Sequence, residues 1–549
     1  MKNQHLTSGG AILGLALLLI SCSRSPAPAG PPTVAAPGAA TTAATTATAT
    51  AAAPLHADSP GIDWYRGEVA EAFSAARTAR KPILLYWGAI WCPPCQELKS
   101  TVFTRRDFIA RSRLFLPVYL DGDEAGAQKW GEKFHVSGYP TLVVLNADGH
   151  ELMRIAGGMD LNQYATVLDT ALADLQPADS LLASAAAGQA LDALQCRRLA
   201  YNSWELDVDA RDDDASNARL AQQLDAAAAH CPAKAQLERA RLQIFAADYA
   251  TRAEADSLKN DRPPSAALRA HLAEVDRVLA SERLALRVAD ALQYLDENFF
   301  RAVKSERATA ASRLARFSSV MDAAAADPDF SEADQLSAVG SKLAAIKTVK
   351  GAIPAGVARA AHARVAATLA EEQIPYVRSG IINAVLPIFE LLHENAQAYK
   401  LVQGELAKTA TPYYYKADLG ELAESLGRKE EALKWYAEGY GEARGIATRF
   451  QWGSIYASSL LRLAPDNAAK ITDVTSGVLG ELDGPDRIYR RARQRLMRLD
   501  KALRKWNTDG KGAHYEVIVA LHTRMQQICV KVPSPEPART TCEAFLAGA

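Results

Sequence analysis

Cys92 and Cys95, separated by Pro93 and Pro94 and preceded by Trp91, are the residues of this 549-residue chain whose types and spacing best fit covalent chemistry. Two thiols at this spacing can form and open a disulfide by exchange with a partner, and the attacking species is the thiolate. A helix is predicted to start at this motif, so its positive end stabilises a Cys92 thiolate. Cys92 is therefore expected to act as nucleophile, with Cys95, one turn further in, resolving the mixed disulfide. The two prolines lack N–H groups and cannot donate to the thiolate, which leaves this helix end with fewer donors. A zinc site would need a second ligand pair, and the sequence offers no other Cys-x-x-Cys and no HxxxH-like pair. No metal and no cofactor is expected.

The surrounding segments supply a scaffold of alternating elements. A helical pattern runs from Glu68 to Arg80, an apolar strand from Ile83 to Trp87, and the cysteine motif opens a helix through Val102. A second strand, Leu116 to Asp121, leads through a helical stretch ending near Phe134 to Gly138-Tyr139-Pro140-Thr141. Thr141 to Leu145 is then predicted to pair with Glu151 to Ala156 across Asn146-Ala147-Asp148-Gly149, whose Asp-Gly favours a hairpin turn. Gly157-Gly158 precedes a closing helix.

Order, spacing and motifs over residues 60–176 resemble the thioredoxin fold, an α/β fold, and in particular extracytoplasmic thioredoxin-like domains whose entry reads like Lys81-Pro82-Ile83-Leu84-Leu85-Tyr86-Trp87-Gly88-Ala89. The resemblance implies a cis Pro140 that frees the backbone of Tyr139 to pair with an extended substrate, with Tyr139 and Trp91 as substrate-binding surface. Two residues depart from the bacterial pattern: Tyr86 stands where a buried Asp is common, and Pro117 about where its Lys partner is found. The proton relay is thus expected to be missing as a pair, and water or another group such as Glu97 would serve in its place. Strong oxidases often carry a His between the cysteines, absent here, so the couple is expected nearer about −270 mV than about −120 mV.

The N-terminus bears on compartment. Lys2, the apolar run Ala11 to Ile20 and Leu19-Ile20-Ser21-Cys22 resemble a lipoprotein signal with its lipobox, and the run is too short to span a bilayer. Residues 1–21 are then a removed signal peptide, Cys22 carries the lipid, and residues 22–59 form a disordered Ala/Pro/Thr linker. An ordinary secretory signal with a chance cysteine is the plainer alternative. Ser23, not Asp, follows Cys22, which by resemblance favours the outer over the inner membrane of a bacterial envelope, with the protein facing the periplasm. A formal net charge of −1 gives no reason to expect nucleic acid as a partner.

Residues 177–549 are expected to form an all-α domain of Ala- and Leu-rich amphipathic segments, broken at places such as Asp212-Asp213-Asp214 and Pro263-Pro264. Leu268, Leu272, Val275 and Leu279 make one helical stripe, and Leu284, Val288, Leu292 and Leu295 a second. Residues 411–445, with Gly420, Ala423, Ala432 and Tyr436, resemble one tetratricopeptide-type hairpin; an irregular helical assembly is the alternative. Arg487, Arg490, Arg491, Arg493, Arg495, Arg498, Lys501, Arg504 and Lys505 form a basic segment, read as a solvated face around Ile488, Leu496, Leu499 and Leu503 or as a contact for anionic envelope polymers or lipid. Cys196, Cys231, Cys529 and Cys542 remain; local pairing suggests Cys196 with Cys231 and Cys529 with Cys542, although three connectivities exist and buried free thiols are also open.

The sequence thus predicts a membrane-tethered periplasmic thiol–disulfide oxidoreductase that reduces or isomerises protein disulfides. Its partners would be protein thiols and disulfides, a membrane electron donor or acceptor, and the membrane through the lipid anchor. The alternative is an envelope scaffold whose helical domain binds partners while the thioredoxin-like domain only docks.

Overall fold

The computed structural model describes residues 61–549, except 125, 137, 156–158, 160, 174–175, 205–212, 372, 485–486, 533–536 and 549. The expected signal peptide, Cys22, the linker, Gly157-Gly158 and Asp212 lie outside the described residues.

Four strands, β1 (Ile83–Gly88), β2 (Leu116–Asp121), β3 (Thr141–Leu145) and β4 (Glu151–Ile155), form one sheet in the order β2-β1-β3-β4. β1 runs parallel to β2 and antiparallel to β3, and β3 is antiparallel to β4. Every residue of β1 and β3 is buried, which explains why both read as continuous apolar runs rather than alternating ones. Pro117 is tolerated because β2 is an edge strand, where a missing N–H breaks no ladder on the open side. The β3–β4 turn closes with Asn146 Oδ1 accepting the Asp148 and His150 N–H groups at 3.0 and 2.9 Å, and with Gly149 at a φ of 89°.

Five helices accompany the sheet: α1 (Val69–Ala79), α2 (Pro93–Thr101), α3 (Arg106–Ser112), α4 (Ala127–Lys133) and α5 (Gln163–Ala173). α1 buries Val69, Ala72, Phe73 and Ala76 at spacings of three and four. α2 begins where Cys92 acts as N-cap and Pro93 and Pro94 occupy the first two helical positions, the one place where proline costs no intrahelical bond.

The remainder of the described chain is helical, and it is not an appendage. One apolar core runs without interruption from Ile62 through the sheet to Ile346, and takes in Tyr413, Ala443 and Trp452. The free edge of β4 is occupied by the following segment: Asn202 Oδ1 accepts the Arg154 N–H at 2.9 Å and the Ser203 N–H reaches Arg154 O at 2.8 Å. Covering an edge in this way removes a site for unwanted pairing. From residue 375 onward, Pro375–Leu391, Asn395–Glu405, Pro412–Ser425, Lys429–Glu442, Ile446–Leu463 and Ala468–Gly480 each pack on the next, a stack of successive helices. In the hairpin of Pro412–Ser425 and Lys429–Glu442, a side chain on Gly420 would fall 2.5 Å from the Tyr436 ring, so the close crossing demands glycine.

The stripe Leu268, Leu272, Val275 and Leu279 is buried on one helix, Ala266–Leu279. The second stripe requires a correction: Leu284 to Leu295 spans two short helices, Glu282–Arg287 and Ala289–Leu292, broken at Val288, whose φ and ψ of −119° and 18° leave the helical region. Periodic burial survives the break, so periodicity alone could not reveal it. Cys196 is disulfide-bonded to Cys231 and Cys529 to Cys542, with Cα separations of 5.9 and 5.6 Å, and all four residues are buried. No helix among the described residues is long and apolar enough to cross a membrane.

Candidate functional site

Cys92 and Cys95 are joined as a disulfide across the first turn of α2, with Cα atoms 5.2 Å apart. As N-cap, Cys92 has its Sγ 3.3 Å from the Cys95 N–H, the first donor beyond the two prolines. Pro93-Pro94 thus thins the donor set at this sulfur without emptying it. The Tyr139–Pro140 bond is cis. Tyr86 lies wholly buried behind the motif with its hydroxyl 3.4 Å from the Cys95 carbonyl, and burial together with the nearby Asp121 holds that phenol protonated far above its ordinary range.

The sequence offered no buried acid behind the motif, and the fold buries one on the neighbouring strand within electrostatic reach of Tyr86. Asp121 sits opposite Gly88 in the β1–β2 register and is 5 % exposed. Its carboxyl accepts the Asp123 N–H at 2.9 Å and the Tyr119 hydroxyl at 3.2 Å. Burial pushes it up to about 6, with the charges of Asp123 and Glu124 adding to the rise and the Asp123 N–H opposing it. As the last residue of a strand it read only as a strand-end acid.

Glu97 does not face the thiols. Its carboxyl meets the hydroxyl of Ser331, the N-cap of Glu332–Lys350, and that hydroxyl also lies 2.9 Å from Asp334 Oδ2. Burial raises the Asp334 carboxyl well above its ordinary range and the Glu97 charge raises it further; burial raises Glu97 as well, against the Ser331 bond. Two acids thus meet on one hydroxyl, which can donate to only one of them at a time. Two residues beyond Cys95 on a helix, Glu97 points away from the disulfide, which removes it as a candidate base for Cys95.

The surface expected to receive substrate is occupied by the helical region. Trp91 is 4 % and Cys92 2 % exposed. The Trp91 ring stacks on Tyr414 at 5.9 Å and meets Trp452 edge-on at 5.1 Å. Tyr139, expected to offer a free stacking face, has Trp87 parallel at 5.9 Å, Trp91 edge-on at 5.5 Å and the Arg491 guanidinium 4.3 Å above its centroid. The cause is the helical half of the same chain, folded over the cysteine motif.

Acidic residues of the α/β part hold that cover by its helix N-termini. Asp123 Oδ2 accepts Trp91 Nε1 at 2.8 Å, while Oδ1 accepts the Thr448 N–H at 2.9 Å in the first turn of Ile446–Leu463. Gly445, at a φ of 86°, brings its backbone directly against Asp123. Glu132 accepts the Arg490 N–H at 2.7 Å at the start of Arg490–Asp509 and pairs with Arg493 through both oxygens at 2.7 and 2.8 Å. Burial alone would raise Glu132, but these donors outweigh it and the carboxyl lies below its usual range. Glu97 makes a third contact with the helical region, but to the side-chain hydroxyl of Ser331 and not to a backbone N–H. Helix N-termini carry unpaired N–H groups and partial positive charge, so Asp123 and Glu132 fit their places on physical grounds.

Residues 69–172, which span α1 to α5 and contain both thiols, Trp91, Tyr139 and Pro140, match a family model described as a thioredoxin-like domain. No curated protein matches the chain.

Proposed function

We propose that the protein is a thiol–disulfide oxidoreductase acting through Cys92 and Cys95, tethered by a lipid on Cys22 and facing the periplasm. The observation that carries the redox reading is the geometry of the motif: a disulfide at a helix N-terminus, Cys92 as N-cap, with a cis proline in the matching thioredoxin-like domain. In the reducing direction the Cys92 thiolate attacks a substrate disulfide, the mixed disulfide forms, and one substrate thiolate leaves and takes a proton from water. Cys95, after losing its proton, attacks Cys92 Sγ; the intrachain disulfide forms and the second substrate thiol departs. Two electrons pass from dithiol to substrate, and a membrane electron donor restores the pair. The lipobox at Leu19-Ile20-Ser21-Cys22 supports the anchor, and the two further disulfides support an oxidising compartment.

Because Cys92 is covered, exchange requires the helical cover to withdraw from Trp91 and Tyr139. Trapping tests this reading: reduced Cys95→Ala protein should accumulate mixed disulfides with envelope proteins through Cys92. No trapped species, under conditions where Cys92 is alkylated by a small reagent, would argue against it.

The same covering favours a second reading, in which the thioredoxin-like domain docks as a structural piece of an envelope scaffold. It predicts that Cys92→Ser and Cys95→Ser leave every phenotype of the protein intact.

A further inference from the structure

The basic segment distributes its charges unevenly. Arg493 is paired with Glu132, Arg504 with Asp500 at 2.9 Å and Lys505 with Asp509 at 2.7 Å. Arg491 and Arg495 have no carboxylate within ion-pair distance among the described residues. Arg491 gives one bond, from Nη2 to Gln451 Oε1 at 3.2 Å, and its Nη1 is buried without a hydrogen-bond partner. Arg495, one turn further on, is held down to about 9 by burial and by repulsion from Arg491 and Arg498. Arg487, bonded from Nη1 to the Glu481 carbonyl at 3.3 Å, adds a third cation to the same wall.

These three arginines, with Trp91, Tyr139 and Thr448, line a cavity of about 20 Å³. The neighbouring acids are already engaged: Asp123 by Trp91 and Thr448, Glu132 by Arg490 and Arg493. A half-buried group of like charges in which Arg491 and Arg495 have no carboxylate in ion-pair range among the described residues is unfavourable, and the group that would relieve it is an anion able to accept several N–H bonds. The place is specific, since Trp91 immediately precedes Cys92 and Tyr139 precedes cis Pro140. An anion seated there lies against Trp91 and Tyr139, the residues before Cys92 and cis Pro140.

We propose that Arg491 and Arg495 form a subsite for a carboxylate carried by the disulfide substrate of the Cys92–Cys95 pair. The proposal rests on the redox reading above and names its substrate class: disulfides flanked by acidic groups. The covered arrangement leaves space for only one water-sized group, so the carboxylate enters when Ile446–Leu463 and Arg490–Asp509 draw back, the same displacement that uncovers Cys92.

Three disulfides of similar length separate charge from reactivity: 3,3′-dithiodipropionate, bis(2-hydroxyethyl) disulfide and cystamine, which are anionic, neutral and cationic. Full-length protein, reduced beforehand, is mixed with each at low ionic strength and its single-turnover oxidation followed. The anionic disulfide should react about tenfold faster than the neutral one at limiting concentration, and the cationic one slower. Added salt, Arg491→Gln and Arg495→Gln should each bring the anionic-to-neutral ratio towards one, while Arg495→Lys retains most of it. Suberate, the eight-atom dicarboxylate of the same chain length but with no sulfur, should raise the melting temperature of wild type and not of Arg495→Gln, reporting the subsite without redox chemistry. Equal rates for anionic and neutral disulfides in wild type would overturn the subsite and leave the redox reading standing. Failure of all three disulfides to oxidise the reduced protein would instead overturn the redox reading, and this one with it. Should Arg495→Gln fail to fold, Arg491→Gln and the wild-type salt dependence decide the matter in the same terms.

Discussion

The Asp123 carboxylate accepts the Thr448 backbone N–H at 2.9 Å, joining the loop after β2 to the first turn of a helix 325 residues later. Its other oxygen holds the indole of Trp91, the residue before Cys92, at 2.8 Å. One side chain thus ties the cysteine motif to the helical cover, and loosening that tie should expose the thiols.

Asp123→Ala is expected to lower stability by about 1–3 kcal/mol, the range for loss of a charged bond to a helix N-terminus. In reduced protein it should also speed alkylation of Cys92 by about tenfold. A destabilised variant whose Cys92 reacts no faster would show that this contact does not hold the cover closed.

Asp121 sets a pH dependence whose sign follows from its raised value. The folded carboxyl, at about 6, binds a proton that the unfolded chain, at the ordinary 3.8, releases, so its contribution to stability falls as pH rises between those values and is level above. Asp121→Asn should therefore be more stable than wild type by about 1–3 kcal/mol at pH 8 and lose that advantage near pH 4. Denaturant midpoints across this range measure it, and an advantage growing towards acid would contradict the assignment.

The helical hairpin makes a steric prediction. Gly420→Val places branched carbon against the Tyr436 ring, where even a Cβ comes within 2.5 Å, and should cost about 1–3 kcal/mol in urea melts. Gly441→Val, at the next-to-last residue of the partner helix with no atom near its Cβ, should cost no more than about 1 kcal/mol, as an exposed helical site does.

Loss of each structural disulfide should follow loop length. Cys196 and Cys231 are separated by 35 positions and Cys529 and Cys542 by 13. Paired serine substitutions should cost about 4 and about 3 kcal/mol on the chain-entropy account. A larger loss from the short loop would show that packing around Cys529 and Cys542, rather than loop closure, dominates there.

The sequence made the α/β part legible because its signals are local. β2 and β3 fall on the expected residues, and Asp148-Gly149 marks the turn joining β3 to β4. Gly420 and Tyr436 also announced their hairpin, since a small residue facing a ring is a contact between neighbours in sequence. The cover over Trp91 left no such trace: Tyr414, Thr448 and Trp452 read as ordinary helical residues, and only the three-dimensional fold brings them to the motif. Asp121 was missed for a related reason, because burial of a strand-end acid depends on what packs beyond the strand. Glu97 was judged by nearness in sequence to Cys95, whereas helix geometry turns it towards Ser331.

The account stands most directly on turnover of a protein disulfide by the purified chain. Insulin reduction with dithiothreitol as reductant should be accelerated by wild type and fall to the uncatalysed rate in Cys92→Ser. A Cys92→Ser protein that reduces insulin as fast as wild type would contradict the assignment of Cys92 as nucleophile, and with it the redox function.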